Sequence, residues 1–199
     1  MKKILLGVLM MLNVTTANAA DIKLNKPNMS GGMPLMDAIS TRRTSRSFDT
    51  KMLSQQHLSD LLWATWGISS DDERRVVPTA RNQQDIELYV LLPTGSYIYD
   101  AKNNSLKQHG DKDLRYIFAR EQKFAEVAPV HLLFVTANKK YGDMHAGSMY
   151  QNAGLYCASA GLSCVVRGLY DRGEIKEALG LSGDTEVVVT IIAGYPKAD

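Results

Sequence analysis

The chain has 199 residues, 23 lysines and arginines against 21 aspartates and glutamates, and 45% hydrophobic residues. This length supports one folded domain with a sizeable core. The near balance of charges argues against a nucleic-acid-binding protein, because duplex binding usually requires a broadly positive surface. With only two cysteines, the chain is also not a disulfide-dense scaffold.

The amino terminus has the pattern of a secretory signal peptide. Lys2 and Lys3 precede an apolar stretch at residues 4–12, and small residues follow at 17–20. We therefore expect residues 1–20 to be removed on export, to a bacterial periplasm. No later stretch approaches the roughly 20 apolar residues of a membrane-spanning helix, so no stable membrane anchor is expected. Loss of the two lysines would leave equal numbers of cationic and acidic residues.

The next segment, residues 21–33, is polar and contains Pro27 and the Gly31-Gly32 pair. This composition predicts an arm that is either flexible or laid along the surface. A first helix is predicted over residues 34–42. The remainder of the chain, residues 34–199, is interpreted as one domain.

A cationic run follows that helix. Residues 41–48 read Thr-Arg-Arg-Thr-Ser-Arg-Ser-Phe, so arginines alternate with hydroxyl side chains. Guanidinium groups match phosphate oxygens geometrically and hydroxyls add further hydrogen bonds, which favours a phosphate site. The alternative is an ordinary solvated surface or a set of charges at a helix carboxyl end.

The later elements alternate between helices and strands without a regular order. Ser54 predicts the N-cap of an apolar helix that ends at Gly67. Strands are predicted at 86–92, 96–100, 105–108, 130–136 and 186–193, with the second and third forming a hairpin. Further helices are predicted at 114–125, 144–162 and from Asp171 or Gly173 to Gly180. This mixture indicates the α+β class, with antiparallel strand pairs.

The long helix at 144–162 is rich in glycine, alanine and serine. Small residues allow close approach of a sheet, a partner subunit or a flat ligand, and ordinary core packing is the first expectation. Cys157 and Cys164 lie across its predicted end, where two helical turns would hold them ~10 Å apart, so we expect two buried free thiols.

The familiar catalytic and metal-binding signatures give no support to a hydrolase or a metalloenzyme. There is no Gly-x-Ser-x-Gly elbow, no phosphate-binding Gly-Lys-Ser/Thr loop and no His-Glu-x-x-His. The four histidines lack ligand spacing and are interpreted as surface or satisfied core residues; they are His57, His109, His131 and His145.

Four motifs in order resemble the FMN-dependent nitroreductase-like family, in particular its short thiazoline/oxazoline dehydrogenase-like branch. They are the cationic run continuing to Asp49, the turn at 77–84 before a strand, the helix at 143–162 followed by residues 163–168, which resemble the family's loop beneath the flavin, and Ile-Ile-Ala-Gly-Tyr-Pro-Lys at 191–197. The resemblance covers most of the chain beyond the predicted signal peptide. It implies a nitroreductase-like fold, with a central mostly antiparallel sheet flanked by helices, and a homodimer with flavin at the interface.

The resemblance also implies the chemistry. FMN is the expected cofactor, and hydride is expected to pass through flavin N5 from NAD(P)H or another donor to a nitro, quinone or related small acceptor. No catalytic acid or base is assigned. The implied cofactor-binding residues are Arg42, Arg43, Thr44, Ser45, Arg46, Thr79, Ala80, Asn82, Gln84, Val166, Arg167, Gly168 and Lys197. Two alternatives stay open: an exported flavin- or nucleotide-binding protein without turnover, and a degenerate family member with a structural role.

Overall fold

A computed structural model describes residues 20–69, 71–120 and 122–198. Nearly all of the predicted signal peptide lies outside these ranges, so that prediction is not tested by the structure. Among the described residues, no helix is both long enough and apolar enough to cross a membrane.

The described residues form a seven-stranded sheet in which every neighbouring pair is antiparallel. Its spatial order is β1-β4-β3-β2-β5-β7-β6. The strands are β1 Ile22–Lys23, β2 Glu87–Leu92, β3 Gly95–Asp100, β4 Ser105–Gly110, β5 Val130–Thr136, β6 Ser163–Arg167 and β7 Glu186–Gly194. The predicted α+β class with a mainly antiparallel sheet is confirmed.

Helices cover both faces of this sheet. They are α1 Leu35–Thr41, α2 Gln55–Trp66, α3 Phe124–Val127, α4 Gly142–Ser159 and α5 Arg172–Ala178. Short 3-10 turns lie at Ala80–Asn82 and Arg115–Phe118. The Ser54 side chain accepts a hydrogen bond from the His57 N–H, as the predicted N-cap requires.

The centre of the sheet explains the continuous apolar sequence of β5, all of whose residues are buried. Leu132 and Phe134 pack with α2 and α4 in one cluster, whereas Leu133 and Val135 pack in a second cluster on the other face. Because side chains alternate along a strand, a strand covered on both faces favours apolar residues at successive positions, and in β5 only His131 and Thr136 depart from this.

The predicted arm at residues 21–33 lies along the surface, and the structure does not support the flexible alternative. Its β1 strand pairs with β4. The Asn28 N–H donates to Asp60 Oδ1 at 2.9 Å, and the Met33 N–H donates to Ser159 Oγ at 2.7 Å. The arm is therefore fastened to the sheet edge, to α2 and to α4.

The predicted charged helix at 114–125 is wrong. This stretch contains the 3-10 turn and then the start of α3, separated by a bend. The Arg115 guanidinium turns back to the Asp113 carboxylate at 2.8 Å and donates to the carbonyls of Glu126 and Ala128. A long side chain that ties the two ends of the segment together stabilises a compact fold of the chain in place of an extended helix.

The segment at 163–168, expected to be a loop, is instead mostly strand β6. It forms the sheet edge beside β7, with Cys164 opposite Ala193 and Val166 opposite Ile191. Two adjacent valines favour a strand, because branched side chains pack well on a pleated surface.

Candidate functional site

Residues 42–46, the central part of the cationic run, follow the end of α1 and lie against the beginning of β6. The Ser45 N–H donates to the Cys164 carbonyl at 2.9 Å, and the hydroxyls of Ser45 and Ser163 are also 2.9 Å apart. These contacts bring the first and third predicted motifs together. Ser45 serves as the junction between them.

Arg42 extends over the helix α4. A Cβ atom built on Gly154 would lie 3.3 Å from Arg42 Cδ, so a larger residue at 154 would press on the arginine stem. Arg42, Thr44, Cys164 and Val166 line a cavity of about 170 Å³, which we call the Arg42 cavity. Within the described residues, the Arg42 guanidinium has neither a hydrogen bond nor an ion pair, so its donors are available to an anion.

Arg46 and Lys197 meet at a second, larger cavity of about 470 Å³, whose wall includes Phe124. Neither cation has an ion pair or a side-chain hydrogen bond in the part of the chain that the structure describes. Burial, followed by the positive charge of nearby Arg46, lowers the pKa of Arg167. The wall of this cavity therefore carries two cations without an ion pair, together with the carboxylate of Asp49.

Arg43 is arranged differently from Arg42 and Arg46. It is exposed, and its Nη1 donates to the carbonyls of Ser40 and Arg42, both at 2.8 Å. This side chain therefore satisfies carbonyls at the end of α1.

Arg167 is also already committed. Its guanidinium is buried and donates to Gln122 Oε1 at 3.0 Å, to the Phe118 carbonyl at 2.8 Å and to the Leu169 carbonyl at 3.0 Å. A ligand contact at this position would fall to its backbone. The neighbouring Val166 and Gly168 are exposed, and no atom lies within 4 Å of a Cβ built on Gly168.

The second predicted motif, residues 77–84, lies elsewhere on the molecule, and its residues 79–84 form a tight polar turn. Arg81, Asn82 and Gln84 have positive φ angles of 55°, 54° and 47°. Such left-handed conformations cost energy for residues other than glycine and persist only where neighbouring contacts hold them. This turn is therefore held in shape by its surroundings.

Hydrogen bonds inside the turn occupy most of its polar groups. Gln84 donates through Nε2 to Asn82 Oδ1 and to the Glu73 carbonyl, and its Oε1 accepts from Arg75 Nε at 3.0 Å. The Thr79 hydroxyl accepts from the Gln84 N–H at 3.2 Å. Asn82 is exposed and keeps its amide N–H groups without a partner among the described residues.

A buried histidine connects this turn to α4. His145 Nε2 accepts the Ala80 N–H at 2.7 Å, so the proton of the neutral ring must lie on Nδ1, which donates to Asp85 Oδ1 at 2.6 Å. The interpretation of His145 as a satisfied core residue is confirmed. Burial raises the pKa of Asp85, but hydrogen bonds from Asn138 and His145 outweigh it, so that the Asp85 pKa lies below its ordinary value.

No local pattern indicates this pair, because His145 and Asp85 lie 60 positions apart and neither belongs to a recognisable spacing motif. The same helix α4 carries His145 near its start and Gly154, beneath Arg42, near its end. Nine residues of α-helix separate them by about 13 Å. Within one chain, the turn and the Arg42 cavity therefore lie at opposite ends of this stretch of α4, and no residue of the turn lines the cavity.

Comparison with known proteins identifies the family. A protein-family model described as "Nitroreductase family" matches residues 39–195, which include the cationic run, the 79–84 turn, α4 and β6. The chain belongs to the nitroreductase family. The resemblance noted from the four motifs is therefore confirmed at the level of the family.

Individual relatives agree with this assignment. A crystal structure of a protein assigned as a nitroreductase from Ralstonia eutropha JMP134 is 34% identical, with a TM-score of 0.84 over 97% of each chain. A curated Methanocaldococcus jannaschii protein, also assigned as a nitroreductase, is 28% identical over 73% of this chain and 83% of its own length.

A more distant structure shows the same fold. An FMN-dependent nitroreductase from Clostridium difficile R20291 is 16% identical, with a TM-score of 0.59 over 82% of this chain and 88% of that one. The nitroreductase-like fold is thus shared well beyond close sequence similarity, and membership of the nitroreductase family indicates an oxidoreductase in general.

Proposed function

We propose that this nitroreductase-family protein binds FMN and transfers hydride from NAD(P)H to a small organic acceptor such as a nitro compound or a quinone. The observation that carries the proposal is that Arg42, Arg46 and Lys197, which line two cavities beside the cationic run, have no ion pair among the described residues. Unpaired guanidinium and ammonium groups fit a ligand that carries close to two negative charges.

The residues present suit the phosphate end of FMN. Arg42 and the Thr44 hydroxyl share the Arg42 cavity, and they would hold phosphate oxygens there. Arg46 and Lys197 would add positive charge at the neighbouring cavity, where a cation also favours the anionic form of a reduced flavin. When bound, the flavin would supply the hydride-transfer chemistry through N5, and no side chain is required as a nucleophile.

Other residues would position the ring. The exposed backbone at Val166 and Gly168 offers N–H groups with no side chain in the way at Gly168. The Asn82 amide at the 79–84 turn presents donors suited to the carbonyl oxygens of a pyrimidine edge. We propose that the buried His145 fixes that turn, so that Asn82 meets the ligand in one orientation.

We propose that the protein is a homodimer with flavin at the interface. Helix α1 supports this, because Leu35, Met36 and Ile39 are 64%, 72% and 47% exposed and form an apolar surface directly before the cationic run. Exposed apolar patches of this kind commonly mark subunit contacts. Light scattering on purified protein should give twice the chain mass, and Met36→Glu should shift the mass toward that of one chain.

Two finer assignments rest on sequence alone and remain proposals. One is membership of the short thiazoline/oxazoline dehydrogenase-like branch, which motif order and chain length support. The other is export: we expect cleavage after residue 20 and recovery of the shortened protein from the periplasm. Amino-terminal sequencing of the cellular protein tests export, and an intact residue 1 on cytoplasmic protein would contradict it.

Purification of the chain tests the main proposal. We expect yellow protein with an oxidised-flavin spectrum, bleaching by NADH or NADPH, and recovery of colour when a nitroaromatic or quinone is added. Colourless protein that does not take up added FMN would contradict the cofactor assignment. Yellow protein that no nicotinamide nucleotide bleaches would instead identify a different electron donor or a flavin-binding protein without this turnover.

A further inference from the structure

The two cysteines meet inside the fold, which their sequence spacing did not suggest. The predicted ~10 Å separation assumed a helix continuing to residue 162. Helix α4 ends at Ser159, Gly161 takes a left-handed φ of 67°, and the Leu162 N–H returns to the Cys157 carbonyl at 2.8 Å. The chain therefore reverses, and β6 returns Cys164 to the core cluster that contains Cys157, where the two thiols are close enough to influence one another.

The two thiols have unequal surroundings. Cys157 is fully buried in the core cluster between α4 and the sheet. Cys164 is 6% exposed and forms part of the wall of the Arg42 cavity, so a small solute in that cavity can reach it. Both are free thiols.

Electrostatics makes the same distinction. The hydrogen bond from Cys157 lowers the pKa of the Cys164 thiol, and the positive charge of Arg42 lowers it further against the opposing effect of burial. The hydrogen bond to Cys164, with burial, raises the pKa of Cys157. Since the thiolate is the reactive form, Cys164 is the more nucleophilic of the two at neutral pH.

We propose that Cys157 and Cys164 are a redox-active pair that closes to an intramolecular disulfide when a peroxide oxidises Cys164 in the Arg42 cavity. Nothing in this step requires bound flavin. The disulfide would join the end of α4 to β6, and both of these elements contribute to the wall of the Arg42 cavity.

The chemistry balances with one peroxide per pair. The Cys164 thiolate attacks a peroxide oxygen, the O–O bond breaks, and the products are a sulfenic acid on Cys164 and hydroxide, which takes a proton to become water. The Cys157 sulfur then attacks the Cys164 sulfur, an S–S bond forms and the S–O bond breaks. The departing hydroxide leaves with the Cys157 proton as water, so the two thiols have lost two electrons and two hydrogens.

Peptide mapping tests this directly, because both cysteines lie in one tryptic peptide, residues 141–167. After treatment of the folded chain with hydrogen peroxide, we expect this peptide to lose two hydrogens and to resist alkylation until dithiothreitol is added. Oxidised methionines in the same peptide gain oxygen instead and are distinguished by mass. A folded protein that keeps two alkylatable thiols, or that forms cross-linked chains, would overturn the proposal.

Two serine variants separate the roles of the thiols. In Cys157→Ser the sulfenic acid on Cys164 should persist and be captured by dimedone, whereas in Cys164→Ser the buried Cys157 should remain unlabelled. Equal labelling of both variants would refute the assignment of Cys164 as the reactive thiol. Arg42→Gln should slow peroxide oxidation severalfold. Arg74→Gln is the matched control, because Arg74 is exposed and does not line the Arg42 cavity.

Discussion

The cationic run at residues 42–46 and the turn at residues 79–84 are built in opposite ways. In the run, the guanidinium groups of Arg42 and Arg46 have no polar partner among the described residues, whereas Arg43 donates to two backbone carbonyls and Ser45 contacts β6. In the turn, the polar groups of Gln84 and the Thr79 hydroxyl are already paired, and three residues have positive φ. The run therefore offers binding energy to a ligand, whereas the turn offers a fixed shape.

This contrast predicts different consequences of mutation. Removing the side chain of Arg42 or Arg46 should weaken ligand binding while leaving the fold intact, because neither guanidinium makes a hydrogen bond or an ion pair among the described residues. Removing a partner from the turn should destabilise the fold first, because buried polar groups lose their hydrogen bonds.

The largest expected effect is that of His145→Ala. It would leave the Ala80 N–H and the Asp85 carboxylate without a partner and open a cavity in α4, at a cost of about 3 kcal/mol in the free energy of unfolding. Urea denaturation should show a lower midpoint with an unchanged slope. His109→Ala, in which an exposed ring loses one bond to the Leu179 carbonyl, should cost under about 1 kcal/mol. Equal losses would mean that the turn does not depend on His145.

Arg42→Ala should have the largest effect on FMN binding. Loss of charge-assisted hydrogen bonds worth about 1.5–3 kcal/mol corresponds to roughly 10- to 150-fold weaker binding, with little change in stability. Fluorescence titration with FMN measures this. Arg43→Ala should weaken binding less, because its guanidinium already donates to two backbone carbonyls. A larger loss for Arg43 would show that its side chain reorients when the ligand binds.

These two regions also differ in what their sequences revealed. The cationic run was found because arginines and hydroxyl residues lie next to one another, so that local composition was enough. Strand β5 was found with its bounds intact for a similar reason, a continuous apolar stretch between turns. The contact of His145 with Asp85 depends on how α4 packs beside the turn, and no local pattern encodes that distance.

Arg167 shows the complementary case. The family resemblance implies a ligand contact at this position, yet the side chain is buried against Gln122 and backbone carbonyls, which leaves only the backbone for a ligand. The reason is that residues 163–167 form a strand and not the predicted loop, and alternation along the strand turns Val166 outward and Arg167 inward.

The backbone of the two regions can be compared by replacing one arginine in each, Arg81 in the turn and Arg46 in the run, first with alanine and then with glycine. At Arg81, with φ of 55°, glycine should be about 1 kcal/mol more stable than alanine, because only alanine is strained there. Arg46 lacks a positive φ, so Arg46→Ala should be more stable than Arg46→Gly by about 0.5–1 kcal/mol, because glycine gives the unfolded chain more conformational freedom to lose on folding. Thermal unfolding of the four variants measures both differences. The same preference at both positions would contradict the assignment of strain to the turn.

The smallest expected effect is a pH dependence confined to the turn. Because the Asp85 pKa is lower in the folded protein than its ordinary value, Asp85 contributes stability that is fully present above the unfolded pKa of about 3.9 and is lost as pH falls through the folded pKa. In Asp85→Asn the side chain can still accept the His145 Nδ1–H, so the variant should fold and should lose stability less steeply below about pH 4 than the wild type. Glu87→Gln, an exposed change on β2, is the control and should retain the wild-type slope. Urea midpoints between about pH 3 and 6 measure the slopes, and parallel curves for all three proteins would show that the charge on Asp85 does not hold the turn to α4.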